Sequence, residues 1–204
     1  MKSIGIISGA GPYTGLVLHQ KIIKLCNSLG YKKDVEFPLI KHISYPFAST
    51  DIEGVINFPL SQKELANAIE MCTDVDKIAL ACNSLLPSLS HVNKSMVFDP
   101  RVVLKDKFFN EPLLVLASVS SVQSGLYDSV SKNIFYPDAI IQKKVNQIID
   151  EVMQGYINQE MFHALINNLR KNNPKILLGC TELCVFRDEE STINILDVIA
   201  QNMI

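Results

Sequence analysis

Short apolar runs alternate along this chain with longer stretches in which apolar positions recur every three or four residues. The runs at 4–7, 39–43, 77–80, 113–117 and 175–178 are rich in Ile, Leu and Val and end in small or polar residues, so each predicts a strand. Shorter strands are expected at 97–98 and 134–136. Between them, Leu16, Ile22, Ile23 and Leu25 fall near helical spacing, as do Leu60, Leu65, Ala68 and Ile69, and then Val145, Ile148, Ile149 and Val152. These predict crossover helices. Turn signals at 9–12 and at Pro46, Pro59, Pro87, Pro100, Pro112, Pro137 and Pro174 separate the elements. Strands alternating with helices define an α/β class with a mainly parallel sheet, and no polar linker interrupts it.

The chain also echoes itself. Ile78-Ala79-Leu80-Ala81-Cys82-Asn83-Ser84 is matched, 98 residues on, by Ile176-Leu177-Leu178-Gly179-Cys180-Thr181-Glu182. A weaker echo pairs the strand running into Ser8-Gly9 with the strand running into Ala117-Ser118. The two halves therefore read as copies, expected to pack as two doubly wound units. Their ligand would sit where the carboxyl ends of strands from both units face one crevice.

Composition narrows the partners. Nearly half of the 204 residues are hydrophobic, enough for a substantial core, and 19 Lys and Arg stand scattered among 21 Asp and Glu. Neither a nucleic-acid footprint nor an anionic-membrane patch is present in that pattern, and the longest apolar runs are far too short to span a bilayer. The opening residues read as a strand rather than an export signal, so a cytoplasmic location and a small-molecule partner are expected. Five cysteines make an odd, sparse set, which favours free thiols over a disulfide framework. Cys180 and Cys184 lack a second pair at zinc-like spacing, and no metal is expected.

Two cysteines in matched contexts carry chemistry that one would not. Inverting a carbon centre needs a base on one face and an acid on the other, and a thiolate opposed by a thiol supplies both. Cys82 and Cys180 each end a strand and precede helix-capping residues, a setting in which backbone N–H groups are expected to favour the thiolate. Cys26, Cys72 and Cys184 fall in helix-like stretches and read as packing residues. The glycine turn Ser8-Gly9-Ala10-Gly11-Pro12 can cradle an anion but matches neither a dinucleotide fingerprint nor a P-loop. His19, His42, His91 and His163 share no spacing with a nucleophile, and no G-x-S-x-G elbow supports serine hydrolysis.

These residues together resemble the aspartate/glutamate racemase superfamily, and its aspartate racemase branch in particular. Residues 4–12 resemble that branch's opening strand and Gly-Gly-Met-Gly-Pro turn; Cys82-Asn83-Ser84 resembles its Cys-Asn-Thr; Leu178-Gly179-Cys180-Thr181-Glu182-Leu183 reads as the family does. Ser124-Gly125-Leu126-Tyr127 and Tyr136-Pro137-Asp138 resemble segments of the second domain. The resemblance implies two Rossmann-like domains related by a pseudo-twofold, residues 1–95 with 192–204 forming the first and 96–191 the second. It implies a cleft between them holding Cys82 and Cys180 as catalytic bases, no cofactor and a homodimer. Substrate contacts are expected from Ser8, Gly9, Ala10, Ser49, Asn83, Ser84, Ser118, Ser121, Thr181 and Glu182. Of these, Asn83, Ser84 and Thr181 are expected to fix the α-carboxylate.

The departures bear on the substrate. Where members acting on aspartate commonly place an Arg, this chain has Ser49, and where they carry a Lys it has Met153-Gln154. Without those cations a buried side-chain carboxylate would be unpaired, so a neutral or polar amino acid is expected in place of aspartate. A related isomerase or decarboxylase, and a non-catalytic small-molecule-binding relative, are the alternatives.

Overall fold

The computed structural model describes residues 2–91, 95–172, 175–187 and 192–204. The turn expected at Pro174 and the domain boundary expected at 191 lie outside the described residues. In chain order the first half contains β1 (Ser3–Ser8), α1 (Pro12–Ser28), β2 (Leu39–Ser44), β3 (Thr50–Asp51), β4 (Gly54–Val55), α2 (Phe58–Glu70), β5 (Lys77–Leu80) and α3 (Pro100–Phe108). The second contains β6 (Pro112–Leu116), α4 (Val119–Gln123), β7 (Asn133–Phe135), α5 (Ala139–Met153), α6 (Gln159–Leu169), β8 (Ile176–Leu178), β9 (Thr192–Asn194) and α7 (Ile195–Met203). Short 3-10 helices at Asn83–His91 and Thr181–Val185 follow the two cysteines.

Two parallel sheets form, ordered β2-β1-β5 and β7-β6-β8-β9. The sequence echo is a topological one. β1 and β6 are interior strands, β5 and β8 carry the cysteine turns, and β5 is flanked by a single parallel bridge from Ile78 to Val97 where β8 is flanked by β9. Residues 97–98 thus hold a place beside the sheet without becoming a strand. Asp99 then caps α3 and Asn194 caps α7, each accepting a backbone N–H of the first turn. The fold is α/β, two Rossmann-like units each built on a parallel sheet. β5, β6 and β8 are apolar almost throughout, as strands buried on both faces are.

The helix stripes follow expectation in α5, where Val145, Ile148, Ile149 and Val152 are all buried. In α1 they do not. Leu16 is 53% exposed, and the buried stripe is Thr14, Gly15, Leu18, Ile22 and Cys26. The helix approaches β1 through small residues at its start, so the sheet-facing side is set by Thr14 and Gly15 rather than by the largest apolar side chain nearby. At the other end of the chain, β9 pairs with β8 of the second sheet while α7 packs on α1, α3 and β5. The polypeptide therefore returns to the first sheet between Asn194 and Ile195.

Candidate active site

The two cysteine turns are tied to one another by reciprocal hydrogen bonds. Asn83, which follows Cys82, donates from Nδ2 to the carbonyl of Gly179, which precedes Cys180, at 3.2 Å. Thr181, which follows Cys180, donates from Oγ1 to the carbonyl of Ala81, which precedes Cys82, at 3.0 Å. Each residue after a cysteine thus caps the residue before the other. Further bonds brace the pair: Tyr127 Oη donates to Gly179 O at 2.6 Å, and Thr14 Oγ1 lies 2.7 Å from Ala81 O. All four side chains are buried, where each such bond matters because an unmade one would leave a desolvated polar group.

Between the turns lies a narrow cavity of about 20 Å³, measured as the room open to the centre of a water-sized sphere. Both cysteines line it, together with Ala10, Asn83, Ser84, Ser118, Ser121, Thr181 and Glu182 of the expected contacts. Ser8, Gly9 and Ser49 do not. Ser8 Oγ is instead 2.8 Å from His42 Nε2, on the side of β1 that α1 covers, and Gly9 is pressed against the Tyr45 backbone. Ser49 is fully buried, its N–H donating to Glu64 at 3.2 Å. The expected cation position is therefore turned into the protein rather than toward the cavity. The structure adds lining residues that the sequence did not mark: Asp51, Ile52 and Gly54 on the β3–β4 hairpin, and Ile149 of α5. The hairpin crosses from the first half to α4, with Ser120 N donating to Glu53 O at 2.8 Å and Val55 N donating to Ser120 Oγ at 3.1 Å.

Glu182 dominates the local electrostatics. Its Oε2 accepts from the Cys180 thiol at 2.9 Å, and burial lifts its pKa above the ordinary carboxylate value while that thiol contact pulls the other way. Burial, then the Glu182 charge, pushes Cys82 up to about 12 and Cys180 well above its usual value. Backbone N–H groups of Ser84 and Leu85 do reach the Cys82 sulfur and favour its thiolate, as the strand-end position suggested. Desolvation outweighs them, so the expected acidification of the thiols is reversed: both rest as neutral S–H groups. The packing thiols Cys26, Cys72 and Cys184 are free and buried.

Thr181 also differs from expectation in what it can bind. The single hydroxyl hydrogen of Thr181 is spent on its reciprocal bond, whereas Asn83 Nδ2 uses one of its two hydrogens there and keeps the other for a carboxylate. Ser118 and Ser121 also keep one, because their hydroxyls stand 3.0 Å apart and only one of the two hydrogens is needed for that contact. Among the described lining residues, Asp51 and Glu182 carry charge and no Lys, Arg or His does.

The paired parallel sheets give this chain the fold of solved aspartate and glutamate racemases. Its fold is similar to that of an aspartate racemase from Picrophilus torridus, with 24% identity and a TM-score of 0.73 over 100% of this chain and 93% of that one. It is similar to an aspartate racemase homologue from Pyrococcus horikoshii, with 19% identity and a TM-score of 0.74 over 100% and 97%. Glutamate racemase from Francisella tularensis, solved in complex with D-glutamate, is similar with 15% identity and a TM-score of 0.60 over 99% and 79%. No protein-family model and no curated protein sequence matches the chain.

Proposed function

We propose that this protein is an amino-acid racemase that needs no cofactor and moves the α-proton between Cys82 and Cys180. The observation that carries the reading is the reciprocal tie, which brings two thiols from distant parts of the chain to one water-poor cavity. Such positioning supplies the orientation that deprotonation of an unactivated α-carbon requires. Glu182 receives the Cys180 proton, and the thiolate so formed takes the α-hydrogen as the Cys82 thiol delivers its own proton to the opposite face. The carbon is inverted, Cys82 is left as thiolate and Cys180 as thiol; Glu182 keeps the proton until the roles reset. A bound ammonium group assists, because its positive charge offsets the burial that keeps both sulfurs protonated.

The free hydroxyl hydrogen of the Ser118–Ser121 pair and the second Nδ2 hydrogen of Asn83 are side-chain donors available to the α-carboxylate. The absence of a described cation in the lining argues against acidic side chains, and equally against an isomerase or decarboxylase of dicarboxylates. The two domains of this reading are residues 1–95 with 192–204, and 96–191, adjusted in that β9 (Thr192–Asn194) joins the second sheet and Val97 bridges to the first; a cytoplasmic homodimer is its expected form, checked by cell fractionation and light scattering.

The test is incubation of the purified protein with single L-amino acids in deuterated water, read by mass and by chiral separation. Racemisation with α-deuteration is expected for at least one non-acidic amino acid. Cys82→Ser and Cys180→Ser are each expected to abolish racemisation while retaining exchange of one enantiomer's α-hydrogen. Full racemisation by either variant, or no exchange with any amino acid, refutes the proposal.

A further inference from the structure

Asn83 has a side-chain oxygen with nothing to accept from. The residue is 2% exposed, its Nδ2 is fixed on the Gly179 carbonyl, and its Oδ1 has no hydrogen-bond partner although Asn83 lines the cavity. A carbonyl oxygen can only accept, so the amide cannot turn its own oxygen toward Gly179 O without losing this bond. A buried acceptor left unmade costs stability unless a ligand donor meets it. It lies beside Cys82 and is bonded to the residue before Cys180, which is where the α-carbon and its ammonium would stand.

A second acceptor lies on the hairpin. Asp51 lines the cavity, and only its Oδ1 is engaged, accepting from Glu53 N–H at 2.7 Å. Apart from Thr50, the neighbouring side chains of the lining are apolar: Ile52 on the hairpin, and Ile149 and Met153 on α5. The pairing of an apolar wall with a carboxylate suits a side chain with a methylene stem and a cationic tip. Met153 stands where a cation was expected from the family resemblance, so the polarity of this end is inverted.

We propose that the cavity selects diamino monocarboxylic acids, with Asn83 Oδ1 receiving the α-ammonium, Ile52, Ile149 and Met153 flanking the stem, and Asp51 receiving the side-chain ammonium. This rests on the racemase reading and deepens it by naming the substrate class. Asp51 is the specificity determinant, acting on the substrate rather than on the reacting hydrogen. Specificity of this kind is a difference between two affinities, so it is read as a ratio.

The experiment compares ornithine with norvaline, and lysine with norleucine, in the deuterium-exchange assay with the full chain. Ornithine or lysine is expected to exceed its uncharged counterpart at least tenfold in kcat/KM. Asp51→Asn keeps an acceptor for the Glu53 N–H and is expected to lower that ratio at least tenfold. Asp51→Lys is expected to shift preference toward glutamate or aspartate. A wild-type ratio of one or less, or a ratio that Asp51→Asn does not change, overturns the inference while turnover of norvaline or another neutral amino acid leaves the racemase reading standing. Absence of exchange with every amino acid tried, alanine, serine and aspartate included, overturns both.

Discussion

The carboxylate of Glu182 is wedged between the Cys180 thiol and the backbone of Gly11, whose missing side chain leaves the room that Oε1 occupies. Gly11 has φ 83°, a conformation that glycine adopts freely, so the turn both accepts the strained backbone and admits the carboxylate. Glu182→Gln keeps the shape and removes the charge, which separates a chemical role from a structural one. Racemisation is expected to fall by roughly 10²–10⁴-fold, the usual contribution of a positioned proton acceptor. The same change removes a charge that holds Cys82 in its thiol form, so iodoacetamide is expected to label Cys82 faster at pH 8 than in the parent protein. A purely structural role for Glu182 would slow catalysis without that specific gain in thiol reactivity. Sequence reasoning found Glu182 but not its dominance, because a carboxylate's effect on a thiol depends on burial that no local pattern records.

At the scale of elements, α1 lies close on β1 and β2 because Gly15 faces Ser8 and His42. His42 is held there with its Nε2 2.8 Å from Ser8 Oγ, and burial, then the charge of His19, pulls its pKa below the ordinary value. The unfolded chain takes up this proton near pH 6.5, and the folded chain resists it. Acidification therefore favours unfolding: the Tm is expected to hold above about pH 7, to fall as the pH drops below about 6.5, and to level off once the folded imidazole is also charged. His42→Gln should flatten that interval in a series of thermal melts. The carboxylates with lowered pKa values, Glu36, Asp74 and Asp76, lose their contribution only in more acidic solution. The strands that make this layer were legible from apolar runs, whereas the β3–β4 hairpin was not. Its strands are two residues each and show no periodicity, and their placement depends on Ser120 in the other half.

For the whole molecule, the reciprocal bonds of Asn83 and Thr181 join the halves at the point where the chemistry is proposed. Thr181→Val and Asn83→Leu are each expected to cost on the order of 1–2 kcal/mol in urea unfolding, the worth of a buried bond plus a carbonyl left with one donor fewer. Since both bonds hold the same two turns, their losses should not add, and a double-mutant cycle is expected to give a coupling of at least about 0.5 kcal/mol. Additive losses would mean that each bond serves only its own turn.

The sequence by itself determined the α/β alternation, the duplication and the matched positions of Cys82 and Cys180, because strand formation and repeat structure are written in neighbouring residues. It also marked Asn83 and Thr181, as contacts to an α-carboxylate rather than as the tie between the two turns. Tertiary structure alone decided that their donors point at each other's turns, that Ser49 faces inward and Asp51 faces the cavity, and that the two thiols are less acidic rather than more. Each of those outcomes depends on which groups are removed from water and which charges are brought beside them, and both are set by residues far apart in the chain.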